Sequence, residues 1–162
     1  MTKVNPAVAI NKSHAEVVTT PAPANGQIRS PRRILIVEDD TDIRRLYCRV
    51  LISSGYRVDT AEDGEAGWKV LHGARHDPDS YHLLITDNNM PKLTGVELIK
   101  KVRAARMTLP VILASGGAHT EPEWLHLAES LQLAAILPKP FTLDHLVQTV
   151  RQVLHAAHNL FS

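Results

Sequence analysis

Leu83-Leu84-Ile85-Thr86-Asp87-Asn88-Asn89-Met90-Pro91 is a short apolar run that ends on a carboxylate, two amides and a proline. The apolar part is too short for a typical helix and follows a turn signal, Asp79-Ser80, so it reads as a buried strand. Met90-Pro91 pushes the backbone away from helix, which places Asp87 at the carboxyl end of that strand, on the loop leaving it. In open parallel sheets ligands bind along that edge. Asp, Asn and Pro are also common turn formers, so the stretch alone leaves two readings of Asp87 open.

The same alternation runs through the rest of the chain. Ile34-Leu35-Ile36-Val37 is a continuous apolar, β-branched run, the pattern of a central strand covered on both faces, and it ends in Glu38-Asp39-Asp40. A helix pattern follows with Ile43, Leu46, Tyr47, Val50 and Leu51 on one face, closed by Gly55. Tyr56-Arg57-Val58-Asp59-Thr60 alternates like a less buried strand. Asp63-Gly64 then opens a second helix carrying Ala66, Val70 and Leu71, ending near Gly73.

Beyond Asp87, Thr94-Gly95-Val96-Glu97 has capping-box spacing and starts a third helix running to about Arg106. Leu109-Pro110-Val111-Ile112-Leu113-Ala114 is a fourth strand, ending in Ser115-Gly116-Gly117. Thr120-Glu121-Pro122-Glu123 matches a second capping box. Ala134-Ala135-Ile136-Leu137 is a short fifth strand before Pro138-Lys139-Pro140. Phe141 and Leu146 are placed as a hydrophobic staple around Thr142, opening a last helix that buries Leu143, Leu146, Val147, Val150, Val153 and Leu154. Five strands alternating with five helices give an α/β domain, a doubly wound parallel sheet, over residues 32 to about 158.

Bulk properties narrow the function classes. A chain of 162 residues holds one domain with a proper core, with 44% apolar and 22% charged residues, as in an ordinary soluble protein. A net charge of +1 argues for no nucleic-acid or membrane field. The single cysteine, Cys48, fits a reducing cytoplasm, and no apolar run approaches the roughly 20 residues that span a bilayer. The N-terminus lacks the basic-then-apolar pattern of a leader. Residues 1–31 carry Pro6, Pro21, Pro23 and Pro31, no aromatic residue and no sustained period, and are expected to be a flexible tail; 159–162 form a short C-terminal tail.

In a parallel sheet the strand ends Glu38-Asp39, Asp87, Ser115 and Lys139 all fall on one edge. Three carboxylates gathered there repel unless a cation sits between them, and an oxygen-only donor set suits Mg²⁺. A lysine and a hydroxyl beside them suit an anion with several oxygens, which together makes a phosphoryl-transfer site.

Val37-Glu38-Asp39-Asp40, Thr86-Asp87-Asn88-Asn89-Met90-Pro91 with Gly95, Ala114-Ser115-Gly116 and Pro138-Lys139-Pro140-Phe141 together resemble the receiver domain of two-component response regulators. The resemblance covers residues 32 to 158 with every signature in order. It implies the flavodoxin-like strand order 2-1-3-4-5. It implies that Asp87 takes a phosphoryl group from a phosphohistidine on a histidine kinase or histidine phosphotransfer protein. Glu38, Asp39 and Asp87, with the backbone carbonyl of Asn89, are then the Mg²⁺ ligands. Lys139 pairs with one phosphoryl oxygen, Ser115 donates to another, and the Lys139–Pro140 bond is cis. Asp40 reads as the N-cap of the first helix rather than a metal ligand. The histidines show no metal spacing, and His119, His126, His145, His155 and His158 are scattered over helical or loop positions. Trp124 falls in the fourth helix, beside the expected output surface, as a packing residue.

Two departures from the pattern stand out. Ser115 takes the place of the more frequent threonine and keeps the hydroxyl. Ile136 stands where many receivers carry a Tyr or Phe that swings inward, so signalling is expected to rely on the free loop at Gly116-Gly117. After the last helix little chain remains, so the expectation is a stand-alone receiver, monomeric or weakly dimeric and cytoplasmic. It signals through protein contacts and is no enzyme beyond its own phosphorylation and dephosphorylation. A phosphorylation-independent interaction module is the alternative. A haloacid dehalogenase-type phosphatase would want a second Asp where Asn89 stands.

Overall fold

The computed structural model describes residues 31–77, 79–117 and 121–160. The expected tail over residues 1–31 lies outside them apart from Pro31, as do His119 and Thr120, the first residue of the second capping-box match. Five strands, β1 (Arg33–Val37), β2 (Arg57–Ala61), β3 (Leu83–Asp87), β4 (Val111–Ser115) and β5 (Ala135–Pro138), alternate with five helices. The helices are α1 (Thr41–Ser53), α2 (Gly64–Ala74), α3 (Gly95–Ala104), α4 (Glu121–Leu131) and α5 (Leu143–Leu160). Every strand pair is parallel and the order is β2-β1-β3-β4-β5, the doubly wound arrangement expected. The chain reverses direction of winding between β1 and β3, which opens a crevice at the carboxyl ends of those two strands.

Side-chain alternation explains why the central strands read as unbroken apolar runs. Leu35 and Val37 of β1 enter one core layer with Leu84, Leu98, Ile99 and Val111, whereas Ile34 and Ile36 enter the other with Tyr47, Leu51, Leu146 and Val150. Both layers are needed. Full burial of one such aliphatic side chain contributes about 1.5–3 kcal/mol. The edge strand β2 exposes Arg57 and Thr60, as its polar alternation predicts.

The helix starts follow the capping residues. Asp40 Oδ1 accepts from the N–H groups of Asp42 and Ile43 at 2.9 and 3.0 Å, so it is the N-cap of α1. Thr94 and Glu97 form a full capping box on α3, and Thr142 Oγ1 accepts from His145 N–H at 3.2 Å on α5. The left-handed Gly55 (φ +91°) follows α1. One helix-face expectation is corrected: Leu46 is 46% exposed. It lies about 80° round the helix from the centre of the face set by Ile43, Tyr47, Val50 and Leu51, at the margin of what the sheet covers.

At the rim beneath β2, Asp59 Oδ2 accepts from Arg33 Nε at 2.7 Å and from Tyr81 O–H at 2.8 Å. Burial pushes the Asp59 carboxyl up, but the bonds from Tyr81 and Arg33 outweigh it and hold it below the usual range; the Tyr81 hydroxyl is pushed up to about 12 by burial and by Asp59. A depressed carboxyl contributes stability above its unfolded pKa and loses it as pH falls through the lower folded value. The melting temperature of the native protein should therefore fall more steeply from about pH 5 to about pH 2 than that of Asp59→Asn. Parallel curves would refute this.

Candidate functional site

The crevice between β1 and β3 collects the residues that the sequence placed at strand ends. Asp87 ends β3 and is buried; Glu38 follows β1 and is buried, while Asp39 beside it is exposed. One carboxylate oxygen from each of Glu38, Asp39 and Asp87 lies within 4.8 Å of the others. Lys139, one residue past β5, brings Nζ to 2.8 Å from Asp87 Oδ1 and 3.3 Å from Glu38 Oε2. The contact with Asp87 is an ion pair at a poor angle for a hydrogen bond, so the buried Asp87 Oδ1 is left without an aligned donor. Asp87 Oδ2 accepts from Asn89 N–H at 3.1 Å. Asn89 thus meets the site through its backbone, and its side chain is exposed.

Ser115 ends β4, which pairs with β3 so that Ala114 stands opposite Asp87, and it is buried with only a 3.5 Å contact from Oγ to Gly116 O. Lys139 N–H donates to Ser115 O at 2.8 Å, which ties the β5 end to the β4 end. The Lys139–Pro140 peptide is cis.

The electrostatics follow from this crowding. Burial raises the Glu38 carboxyl; Lys139 pulls it down, the Asp87 charge pushes it up again, and the net shift is upward. Burial lowers the Lys139 ammonium, yet the close contact with Asp87 and its charge, followed by Glu38, raise it on balance. One cation therefore serves two buried carboxylates. An additional divalent ion fits: an aimless buried carboxylate oxygen and an all-oxygen donor set are what a hard cation takes.

Four further residues hold the site in place. Arg44 Nη1 donates to Glu38 O at 2.7 Å and Asp39 O at 3.1 Å, pinning the acidic loop from α1. Asn88 Oδ1 accepts from Val96 N–H at 3.3 Å, so this residue fastens the loop to the start of α3. Lys92, at φ +65°, pairs with buried Asp63, the N-cap of α2. Gly95 packs its Cα face against the Asp87 carbonyl. The sequence signals none of these roles for Arg44 or Lys92, because each depends on a partner brought in by the fold. Ile136 is partly buried on β5, opposite Leu113, and left-handed Gly117 follows Ser115 by two residues.

A family model described as the response regulator receiver domain matches residues 34–151. The chain belongs to that family. It is 37% identical over 121 residues to the response regulator RppA of Synechocystis sp., covering 74% of this chain and 49% of that protein. It is 30% identical over 128 residues to the response regulator receiver protein CpdR of Brucella abortus, covering 78% of this chain and 99% of that one. The structure of the Vibrio cholerae chemotaxis response regulator CheY4 superimposes with a TM-score of 0.64 at 30% identity, covering 76% of this chain and 98% of that chain. The chain spans about half the length of several curated relatives, RppA and the transcriptional regulatory protein CpxR among them. Receiver domains are signalling modules of two-component systems rather than enzymes. No helix among the described residues is long and apolar enough to cross a membrane.

Proposed function

We propose that this receiver accepts a phosphoryl group on Asp87 from a phosphohistidine of a histidine kinase or phosphotransfer protein. The observation that carries the reading is the convergence of three carboxylates within 4.8 Å, with Lys139 Nζ 2.8 Å from Asp87 Oδ1. An Asp87 carboxylate oxygen attacks phosphorus; the new P–O bond forms as the P–N bond to imidazole breaks, and the imidazole leaves with the electron pair and takes up a proton. Lys139 moves from pairing two carboxylates to pairing a phosphoryl oxygen. Ser115 Oγ–H, poorly engaged at 3.5 Å from Gly116 O, is the hydroxyl that donates to another. Glu38, Asp39 and Asp87, with the Asn89 carbonyl, would hold Mg²⁺. That ion, when bound, offsets the charge on the transferred oxygens.

The reading that this receiver acts on partners without an attached output domain draws on its likeness to CpdR and CheY4, which it covers almost completely. Its place is the cytoplasm, where kinases of this type present their phosphohistidine. The test is incubation with acetyl phosphate and Mg²⁺, read by intact mass. One phosphoryl adduct is expected on the native chain and none on Asp87→Asn. No adduct on the native chain would favour the phosphorylation-independent interaction module; an adduct persisting on Asp87→Asn would place the acceptor elsewhere.

A further inference from the structure

The edge of the sheet opposite Asp87 carries an open cavity of about 450 Å³. It lies where β1, β3 and β4 begin and where α2, α3 and α5 end, since Arg32, His82 and Pro110 immediately precede those strands. Its size falls in the roughly 300–1,000 Å³ range of small-molecule sites. The lining has two parts. Leu71, Leu109 and Leu154 supply an apolar floor, while Arg32, Arg75 and Arg106 stand around it from three different elements. Among the described residues no carboxylate lines the cavity. The two acids flanking the lining in sequence are engaged elsewhere: Asp77 Oδ1 accepts from Asp79 N–H at 2.9 Å, and Asp79 is paired with Arg57. Arg32, Arg75 and Arg106, by contrast, have no ion pair or side-chain hydrogen bond among the described residues. His82 Nδ1 accepts from Arg33 N–H at 3.1 Å, so the neutral ring carries its proton on Nε2, a further donor.

We propose that this cavity binds a small phosphorylated molecule with an aromatic or apolar body, of the nucleoside-phosphate class. Guanidinium groups pair phosphate oxygens in forked geometry, and three uncommitted ones around one opening give an anion more donors than any single surface arginine. An apolar floor of leucines gives the rest of the ligand a surface that a bare phosphate cannot use. Arginines at helix ends also complement the helix dipole, but that effect requires neither a cavity nor a third arginine, Arg32, at the start of a strand. The chain's own N-terminal segment is a poor occupant: residues 1–30 carry Lys3, Lys12 and Arg29 against the single acid Glu16, the wrong sign for this rim.

The test is an amide-shift titration of the full chain with AMP and with GMP, free of divalent metal, with adenosine and inorganic phosphate as controls. Saturable shifts are expected at residues 74–76, 80–82, 105–110 and 154–158. Affinity for adenosine or phosphate alone should be at least about tenfold weaker, and Arg75→Ala/Arg106→Ala should weaken AMP binding by at least about tenfold. Both arginines are exposed, so the variant's unperturbed amide spectrum serves as the check that it is folded. The proposal is overturned by absence of saturation with both nucleotides, by shifts at the Asp87 edge instead, by equal affinity for phosphate and AMP, or by unchanged binding in the double variant.

Discussion

Gly95→Ala is expected to destabilise the protein by about 3 kcal/mol and to slow phosphorylation from acetyl phosphate about a hundredfold. A Cβ at this position would sit 2.2 Å from the Asp87 carbonyl oxygen and 3.0 Å from Asn88 Cα. Those atoms are backbone and cannot swing aside, so either α3 or the end of β3 must move by about 1 Å to reach ordinary contact. The first turn of α3 is also bonded to the loop, through Gly95 N–H to Asn88 O at 3.1 Å and Val96 N–H to Asn88 Oδ1. A displacement of the helix start therefore carries the Asp87 carboxylate with it, and in-line transfer tolerates little misplacement. Gly73→Ala is the control. Nothing lies within 4 Å of a Cβ there, in the exposed last turn of α2, and the change should stabilise by about 0.5–1 kcal/mol. Urea unfolding and single-turnover phosphorylation of both variants decide the matter. A Gly95→Ala protein with native stability and rate would show that this contact does not position Asp87.

The contrast between these two glycines also marks how far the sequence could be read. β1, β3 and β4 were legible because a strand buried on both faces must be apolar at every position, and such runs end abruptly where a polar site begins. That is why the sequence alone puts Glu38, Asp87 and Ser115 at one edge. Capping chemistry was legible for the same local reason, at Asp40, Thr94 and Thr142. Helix faces were less so: Leu46 shares the period of its neighbours but sits at the margin of what the sheet covers. Contacts set by tertiary approach left no local trace. Gly64 has Leu93 O only 2.2 Å from an added Cβ, and Lys92 finds Asp63 across 29 positions of chain, yet each looks like an ordinary loop or helix residue in the sequence.

Arg103 is the strongest case of that kind, and Arg103→Met should cost about 3 kcal/mol, lowering the melting temperature by roughly 10 °C. Among the described residues its guanidinium has no carboxylate partner. Instead it donates to four main-chain carbonyls, those of Leu131 at 3.1 Å, Met107 at 3.0 Å, Leu109 at 2.9 Å and Gln132 at 2.9 Å. Burial alone lowers its pKa, and a guanidinium remains charged through any accessible pH, so these bonds stay charge-assisted. They join the last turn of α3 to the α3–β4 loop and to the end of α4. Two residues without glycine's freedom, Arg106 at φ +56° and Gln132 at φ +52°, stand at those helix exits. Methionine keeps the length and the apolar stem, so the loss would report the missing donors rather than a cavity. Arg103→Lys should recover less than half of it, because one ammonium cannot fork towards carbonyls on two elements. Phosphorylation of Asp87 should persist in both variants under native conditions, since the staple lies at the opposite edge of the sheet. Thermal and urea unfolding, with the acetyl phosphate reaction run in parallel, separate the outcomes. A Met variant within about 0.5 kcal/mol of the native protein would mean that water replaces the guanidinium at all four carbonyls and that the α3 and α4 ends are held by their apolar neighbours alone.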